Sequence, residues 1–107
     1  MQVINNVKAL KEPDIILDSF MVATEVLALV ATTPMIVVSK NTADYGEKYV
    51  ARLWRYVFDE HIELRHEPTK YVIIADSLTE ISNHIPWFLN FIPRFLEDDD
   101  CIVGVFL

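Results

Sequence analysis

Two stretches of the sequence, residues 34–50 and 71–85, decide the expected fold. The first reads PMIVVSKNTADYGEKYV and the second reads YVIIADSLTEISNHI. Each opens with a run of apolar, mostly β-branched residues that is too short for a helix and is typical of a buried strand. Each run is followed by residues that can cap a helix. These capping residues are Asn41, Asp44, Ser77 and Glu80. The pattern predicts a strand, a tight loop and a helix, written twice.

Strands that are apolar on both faces are typical of parallel sheets covered by helices. We therefore expect an α/β fold in a single small domain, residues 1–107, with three or four mostly parallel strands under helices. The βα units are expected at 35–58 and 71–96, joined by right-handed crossovers. A short edge strand is expected over 61–66 and a last strand over 101–107.

Two further stretches predict helices. Residues 12–14 read Glu-Pro-Asp, a typical helix start. From 14 to 32 the polar residues fall on one narrow stripe at about 100° per residue, which predicts a deeply packed helix. A second helix is expected to begin at Pro86 and to run to Leu96, with a kink at Pro93. The first ten residues leave helix and strand open.

Composition limits the partners of the chain. Nine basic residues stand against sixteen acidic ones, a net charge of −7, so binding to a nucleic-acid backbone is disfavoured. The single cysteine, Cys101, excludes an intrachain disulfide and favours a reducing, cytoplasmic location. No signal-peptide pattern is visible. The apolar run 20–38 contains Glu25 and a Thr-Thr-Pro break, so we expect a buried helix and strand there rather than a membrane span.

The glycine count excludes the common nucleotide-binding loops. Gly46 and Gly104 are the two glycines of the chain, so neither GxGxxG nor GxxxxGK[ST] can be written. GxSxG is absent as well, which excludes that nucleophile elbow. The sequence therefore predicts no cofactor and no catalytic residue, and it favours a protein that is not an enzyme.

A candidate ligand site lies at the carboxyl ends of the expected parallel strands, where such sheets bind ligands. Free N–H groups at the helix starts could receive an anion. The candidate ligand-binding residues at these strand ends are Lys40, Asn41, Asp76 and Ser77, and Lys40 would lie beside a bound anion. A hard cation such as Mg²⁺ is the other alternative. Its candidate ligands are Asp44, Asp76 and Glu80. Most of these residues are also explained as helix caps, but Asp76 is not.

The most apolar stretch, 84–100, reads HIPWFLNFIPRFLEDDD and predicts an interaction surface. The expected interface residues are Phe20, Trp87, Phe88, Phe91, Ile92 and Phe95. The first hypothesis is a non-enzymatic interaction protein that self-associates, as a homodimer, through apolar helix surfaces. The second is a domain that binds a small ligand or a divalent metal. The third is an acidic inhibitor that imitates nucleic acid through residues 59–67 and 97–100.

Overall fold

The computed structural model describes residues 13–21, 35–95 and 99–107. These residues form one six-stranded sheet with the strand order β1-β4-β3-β2-β6-β5. The elements are β1 (Ile15–Ile16), β2 (Met35–Thr42), β3 (Gly46–Phe58), β4 (Leu64–Ala75), α1 (Leu78–Ser82), β5 (Phe91–Pro93) and β6 (Ile102–Phe106). β1 pairs with β4 in parallel, and the four other strand pairings are antiparallel.

The predicted α/β fold, a mostly parallel sheet covered by helices, is therefore wrong. The strand predicted from Met35 is confirmed as β2, and the one predicted from Tyr71 is confirmed as the second half of β4. Neither expected βα unit is formed as predicted. In 35–58 the strand β3 takes the place of the helix, and in 71–96 the helix is confined to Leu78–Ser82. The two strands are not neighbours, because β3 lies between them and runs antiparallel to each. Two successive hairpins build this part of the sheet.

The segment expected to form the first helix is β3. Its sequence after the turn, YVARLWRYVF, is rich in the β-branched and aromatic residues that favour strands. Gly46, with φ +61°, supplies the left-handed backbone that closes the β2–β3 hairpin. Asn41 does not cap a helix. It has φ +58° and lies where the strand register shifts between Lys40 and Thr42.

The second predicted helix start is confirmed, but the helix is short. The Ser77 hydroxyl accepts a hydrogen bond from the Glu80 N–H at 3.1 Å, and α1 ends at Ser82. The helix expected from Pro86 to Leu96 is wrong over residues 86–95, because turns lead instead to the edge strand β5, and Leu96 lies outside the described residues. Pro93 is tolerated there since an edge strand can dispense with one N–H donor.

Near the start of the chain, the helix predicted over 14–32 is wrong at its beginning. Ile15 and Ile16 pair with Tyr71 and Val72 as β1. Phe20 and Met21 have helical backbone, and the rest of that prediction, like the open question over residues 1–10, lies outside the described residues. The edge strand predicted over 61–66 begins only at Leu64, and the last strand is confirmed as β6.

One face of the sheet carries the main core. Sheet residues Ile36, Val38, Ala51, Leu53, Ile73 and Phe106 pack under Phe20, Ile81 and Ile85. Fully burying a side chain of this kind stabilises a fold by about 1.5–3 kcal/mol. In the part of the chain described, no helix has the length and apolarity needed to cross a bilayer. The cytoplasmic location stays a prediction.

Candidate functional site

The edge of the sheet at β5 exposes large apolar side chains. Trp87 is 90% exposed, Phe95 is 64% exposed and Phe88 is 54% exposed. Ile92, in β5 itself, is also exposed. The rings of Trp87 and Phe88 meet edge to face, with centroids 5.9 Å apart. We name Trp87, Phe88, Ile92 and Phe95 the edge aromatic surface. Exposed apolar groups concentrated on one segment are typical of a contact surface.

Two of the six predicted interface residues belong elsewhere. Phe20 is fully buried in the core. Phe91 is half-buried, and its ring lies 5.1 Å from the ring of Phe106. Phe20 therefore belongs to the core, and Phe91 packs β5 against β6 rather than forming its outer surface. The segment was found from its apolar composition, but its exposure comes from turns and a strand rather than from a helix.

A polar cleft lies where β2, β3 and the end of β4 meet. Its volume is about 770 Å³, and its lining residues are Lys40, Asn41, Tyr45, Glu47, Lys48 and Asp76. It brings together three of the four predicted ligand-binding residues, Lys40, Asn41 and Asp76. The fourth, Ser77, instead caps α1.

The polar cleft contains an ion pair and a cation–π contact. Asp76 accepts a hydrogen bond from the ammonium of Lys48, and this bond raises the pKa of Lys48. Lys40 Nζ lies 4.8 Å from the ring centroid of Tyr49, a cation–π contact. Glu47 adds a second carboxylate to the lining. The cleft is therefore lined by two lysines and two carboxylates.

The three predicted metal ligands, Asp44, Asp76 and Glu80, take part in different contacts. Asp44 is exposed in the β2–β3 turn, whereas Asp76 pairs with Lys48. Glu80 accepts a hydrogen bond from the Asp76 N–H at 3.3 Å. Among residues 13–21, 35–95 and 99–107, no three side chains of His, Cys, Asp or Glu come together in a geometry suited to a metal ion. The metal site stays a prediction.

A third polar feature was not predicted from the sequence. Arg52 donates to both carboxylate oxygens of Asp14, at 2.7 and 2.8 Å, and to the Thr69 carbonyl at 2.9 Å. The Tyr45 hydroxyl donates to the same carboxylate at 2.6 Å, which raises the pKa of Tyr45. Asp14 also raises the pKa of Arg52, first through its hydrogen bonds. This cluster, which we name the Asp14 clamp, ties β1 to β3 and to the β2–β3 turn.

The β3–β4 hairpin extends past the last described pairing of β2, which joins Met35 to Trp54. Beyond it, residues 55–58 pair only with residues 64–67 among those the structure describes. We name residues 55–67 the hairpin arm. Its tip exposes Ile62 at 79%, Phe58 at 61% and Leu64 at 52%. Asp59 closes the turn by accepting hydrogen bonds from the N–H groups of residues 61 and 63, at 2.8 and 3.0 Å.

The acidic residues of the third hypothesis fall at opposite ends of the sheet. The stretch 59–67 belongs to the hairpin arm, beyond Trp54 and Met35. Asp99 and Asp100 precede Cys101, whose carbonyl accepts from the Lys40 N–H at 2.8 Å, at the other end of β2. Residues 97 and 98 lie outside the described ranges. The acidic residues of the third hypothesis that the structure describes therefore do not form one continuous face.

No family model, curated protein or solved structure matches this chain. The functional interpretation therefore depends on the surfaces of the molecule itself. Three of them are candidates: the edge aromatic surface, the polar cleft and the hairpin arm. The Asp14 clamp is half-buried and joins strands, so it is placed to stabilise the fold rather than to bind a ligand.

Proposed function

We propose that the protein is an interaction module that self-associates through the edge aromatic surface. The observation that carries this proposal is the 90% exposure of Trp87 beside exposed Phe88 and Phe95. An aromatic side chain offers roughly 150–250 Å² of surface, so the exposed parts of these three rings amount to about 400 Å² per copy. Leaving that area in water costs about 25 cal/mol per Å², which association recovers.

The area is suited to a modest dimer interface. An interface is roughly 60% apolar, so an apolar centre of about 400 Å² corresponds to about 650 Å² per partner. Standard stable interfaces bury about 800 Å² per partner. Most homo-oligomers are two-fold symmetric dimers in which the same patch meets itself, and an aromatic patch can pair with its own copy in that way.

Contact through side chains is favoured over continuation of the sheet. β5 is three residues long and contains Pro93, which lacks an N–H. Short edge strands that contain proline resist the addition of another strand. The exposed rings, rather than the backbone of β5, are therefore the groups that we expect to meet across the interface. Because each copy carries a net charge of −7, added salt is expected to strengthen the association.

Sedimentation equilibrium tests the proposal. Wild-type protein is expected to shift from monomer to dimer as its concentration rises from micromolar to sub-millimolar. The double variant Trp87→Ser, Phe88→Ser is expected to remain a monomer. The matched control is Phe58→Ser, which removes an aromatic ring of similar exposure from the hairpin arm and leaves dimerisation unchanged. A wild type that stays monomeric throughout contradicts the proposal, and so does equal loss in the control.

The polar cleft supports a second candidate, the binding of a small anion. The observation that favours it is the convergence of Lys40, Asn41 and Lys48 on one cleft. The test is a titration with inorganic phosphate or with a nucleoside triphosphate. Binding is measured by the change in the amide chemical shifts of the residues around the cleft. Saturable shifts that disappear in Lys48→Gln support binding. Shifts that persist in Lys48→Gln, or none at all, rule out a site built on Lys48.

A further inference from the structure

We propose that the tip of the hairpin arm, residues 58–64, docks on a different protein, at a surface that is apolar at its centre and lined by Lys and Arg. The arm is a separate part of the molecule from the edge aromatic surface. It is built from β3 and β4, whereas the edge aromatic surface is carried by the segment around β5, beyond β2 and β6 in the strand order. This partner is therefore additional to the second copy proposed above.

Among the residues that the structure describes, the arm pairs as a two-stranded ribbon, and such ribbons are marginally stable on their own in water because they lack a core to bury their side chains. Two contacts order this one. Arg55 donates to Glu67 Oε1 through Nε and Nη2, at 2.9 and 2.6 Å. The rings of Tyr56 and His66 meet edge to face with centroids 4.3 Å apart. The arm is thus preorganised below its tip, which lowers the entropy that docking would cost.

The residue at the tip is poorly suited to its backbone. Ile62 has φ +61°, a left-handed conformation that is an outlier for a β-branched residue and that costs energy to hold. Glycine, asparagine or aspartate would adopt it with less strain. The turn is already fastened by Asp59. Folding alone therefore does not explain an isoleucine that is 79% exposed at this position, whereas an apolar contact with a partner does.

Charge at the tip selects the kind of partner. Residues 58–64 contain three carboxylates, Asp59, Glu60 and Glu63, and no lysine or arginine. Arg65 follows Leu64 directly on β4, so residues 58–65 carry three acidic groups and one basic group, and Arg55 on β3 is already paired with Glu67. A basic rim on the partner complements this acidic collar around Phe58, Ile62 and Leu64. Contact with the same tip of a second copy would place like charges opposite one another, and an anionic lipid surface would repel the tip as well.

Photo-crosslinking from the arm tests the proposal. A photoreactive amino acid is placed at position 62 of the full chain in its native cells, and at exposed Thr79 as the control position. We expect one discrete heterologous adduct from position 62 and none from position 79. The adduct is expected to disappear in the charge-reversed double variant Glu60→Lys, Glu63→Lys, and to persist in Asp18→Lys, which reverses an exposed acid outside the arm.

The crosslinked protein, once purified, is then the probe for a binding titration. Affinity is expected to fall about tenfold or more in Phe58→Ser and in the charge-reversed variant, and to fall as salt is raised. Trp87→Ser, Phe88→Ser is expected to bind normally, which separates this site from self-association. Four outcomes overturn the proposal: no adduct, an adduct with the chain itself, an adduct that resists charge reversal, or affinity that is insensitive to Phe58→Ser. Unchanged urea midpoints verify that the variants are folded.

Discussion

Gly104→Ala tests how the edge aromatic surface is held in place. A Cβ at Gly104 would stand 2.6 Å from the Ile92 carbonyl oxygen and closer still to the ring of Phe91. Real Cβ contacts of this kind are not seen, and a backbone carbonyl cannot swing aside as a flexible side chain can. The substitution therefore pushes β5 away from β6 and carries Phe91 with it.

The size of the effect follows from these contacts. Overpacking a well-packed site costs about 1–3 kcal/mol. Separating Phe91 from Phe106, whose ring centroids are 5.1 Å apart, removes an aromatic pair worth about 0.5–1.5 kcal/mol. We expect the free energy of unfolding to fall by about 2–4 kcal/mol in total. That is a large fraction of the roughly 5–15 kcal/mol available to a domain.

Urea titration followed by circular dichroism measures this loss, with Gly46→Ala as the matched control. Gly46 has open space around its missing Cβ, so its cost comes only from the left-handed backbone, about 1 kcal/mol. Gly104→Ala is also expected to weaken self-association, because it displaces the strand that carries Ile92. The reasoning is refuted if Gly104→Ala costs less than Gly46→Ala, or if it leaves both stability and dimerisation unchanged.

The remaining predictions concern the Asp14 clamp and the arm. The pKa of Tyr45 is raised above 10.0 by its hydrogen bond to Asp14, so the folded state keeps a proton that the unfolded state loses. This contribution to stability is complete below about pH 10 and is lost as the pH rises through the raised pKa. In urea titrations above pH 10, the free energy of unfolding should therefore fall less steeply with pH in Tyr45→Phe than in wild type. Asp14→Asn should lower the free energy of unfolding by about 1–2 kcal/mol, which is less than for a fully buried pair because Arg52 is partly exposed. It should also accelerate hydrogen exchange of the β1 amides, and unchanged exchange would contradict the role of the clamp. Ile62→Asn should raise stability by about 1 kcal/mol by relieving the left-handed strain, whereas Leu64→Asn, in regular strand backbone, should not; equal effects in urea titration would exclude strain at the tip.

Part of the fold could be predicted because some strands coincide with short apolar runs in the sequence. The strands at Met35, Tyr71 and Ile102 were found in this way. β3 was not, because Val50, Leu53, Trp54 and Val57 recur at helical spacing and follow residues that can cap a helix. Val50 and Ala51 are both buried, on opposite faces of the sheet, which resembles a helical pattern as much as a strand.

The polar cleft was anticipated from an incorrect geometry. Lys40, Asn41 and Asp76 were grouped because parallel strands end at one edge of a sheet. They meet instead because Tyr49 pairs with both Lys40 and Ala75 in antiparallel ladders. The Asp14 clamp was beyond prediction since its ion pair joins residues 38 positions apart. No local pattern marks such a contact, and the residues before Asp14 resembled a helix start.

The solvent exposure of Trp87, and the decrease in that exposure on self-association, can be followed directly in the variant Trp54→Phe. In this variant Trp87 is the remaining tryptophan. The measurement is quenching of its fluorescence by acrylamide across a range of protein concentration. We predict efficient quenching in dilute protein, where the side chain is 90% exposed, and progressive protection as the dimer forms. Quenching that is equally efficient at every concentration would contradict the central claim that this ring is covered by a second copy.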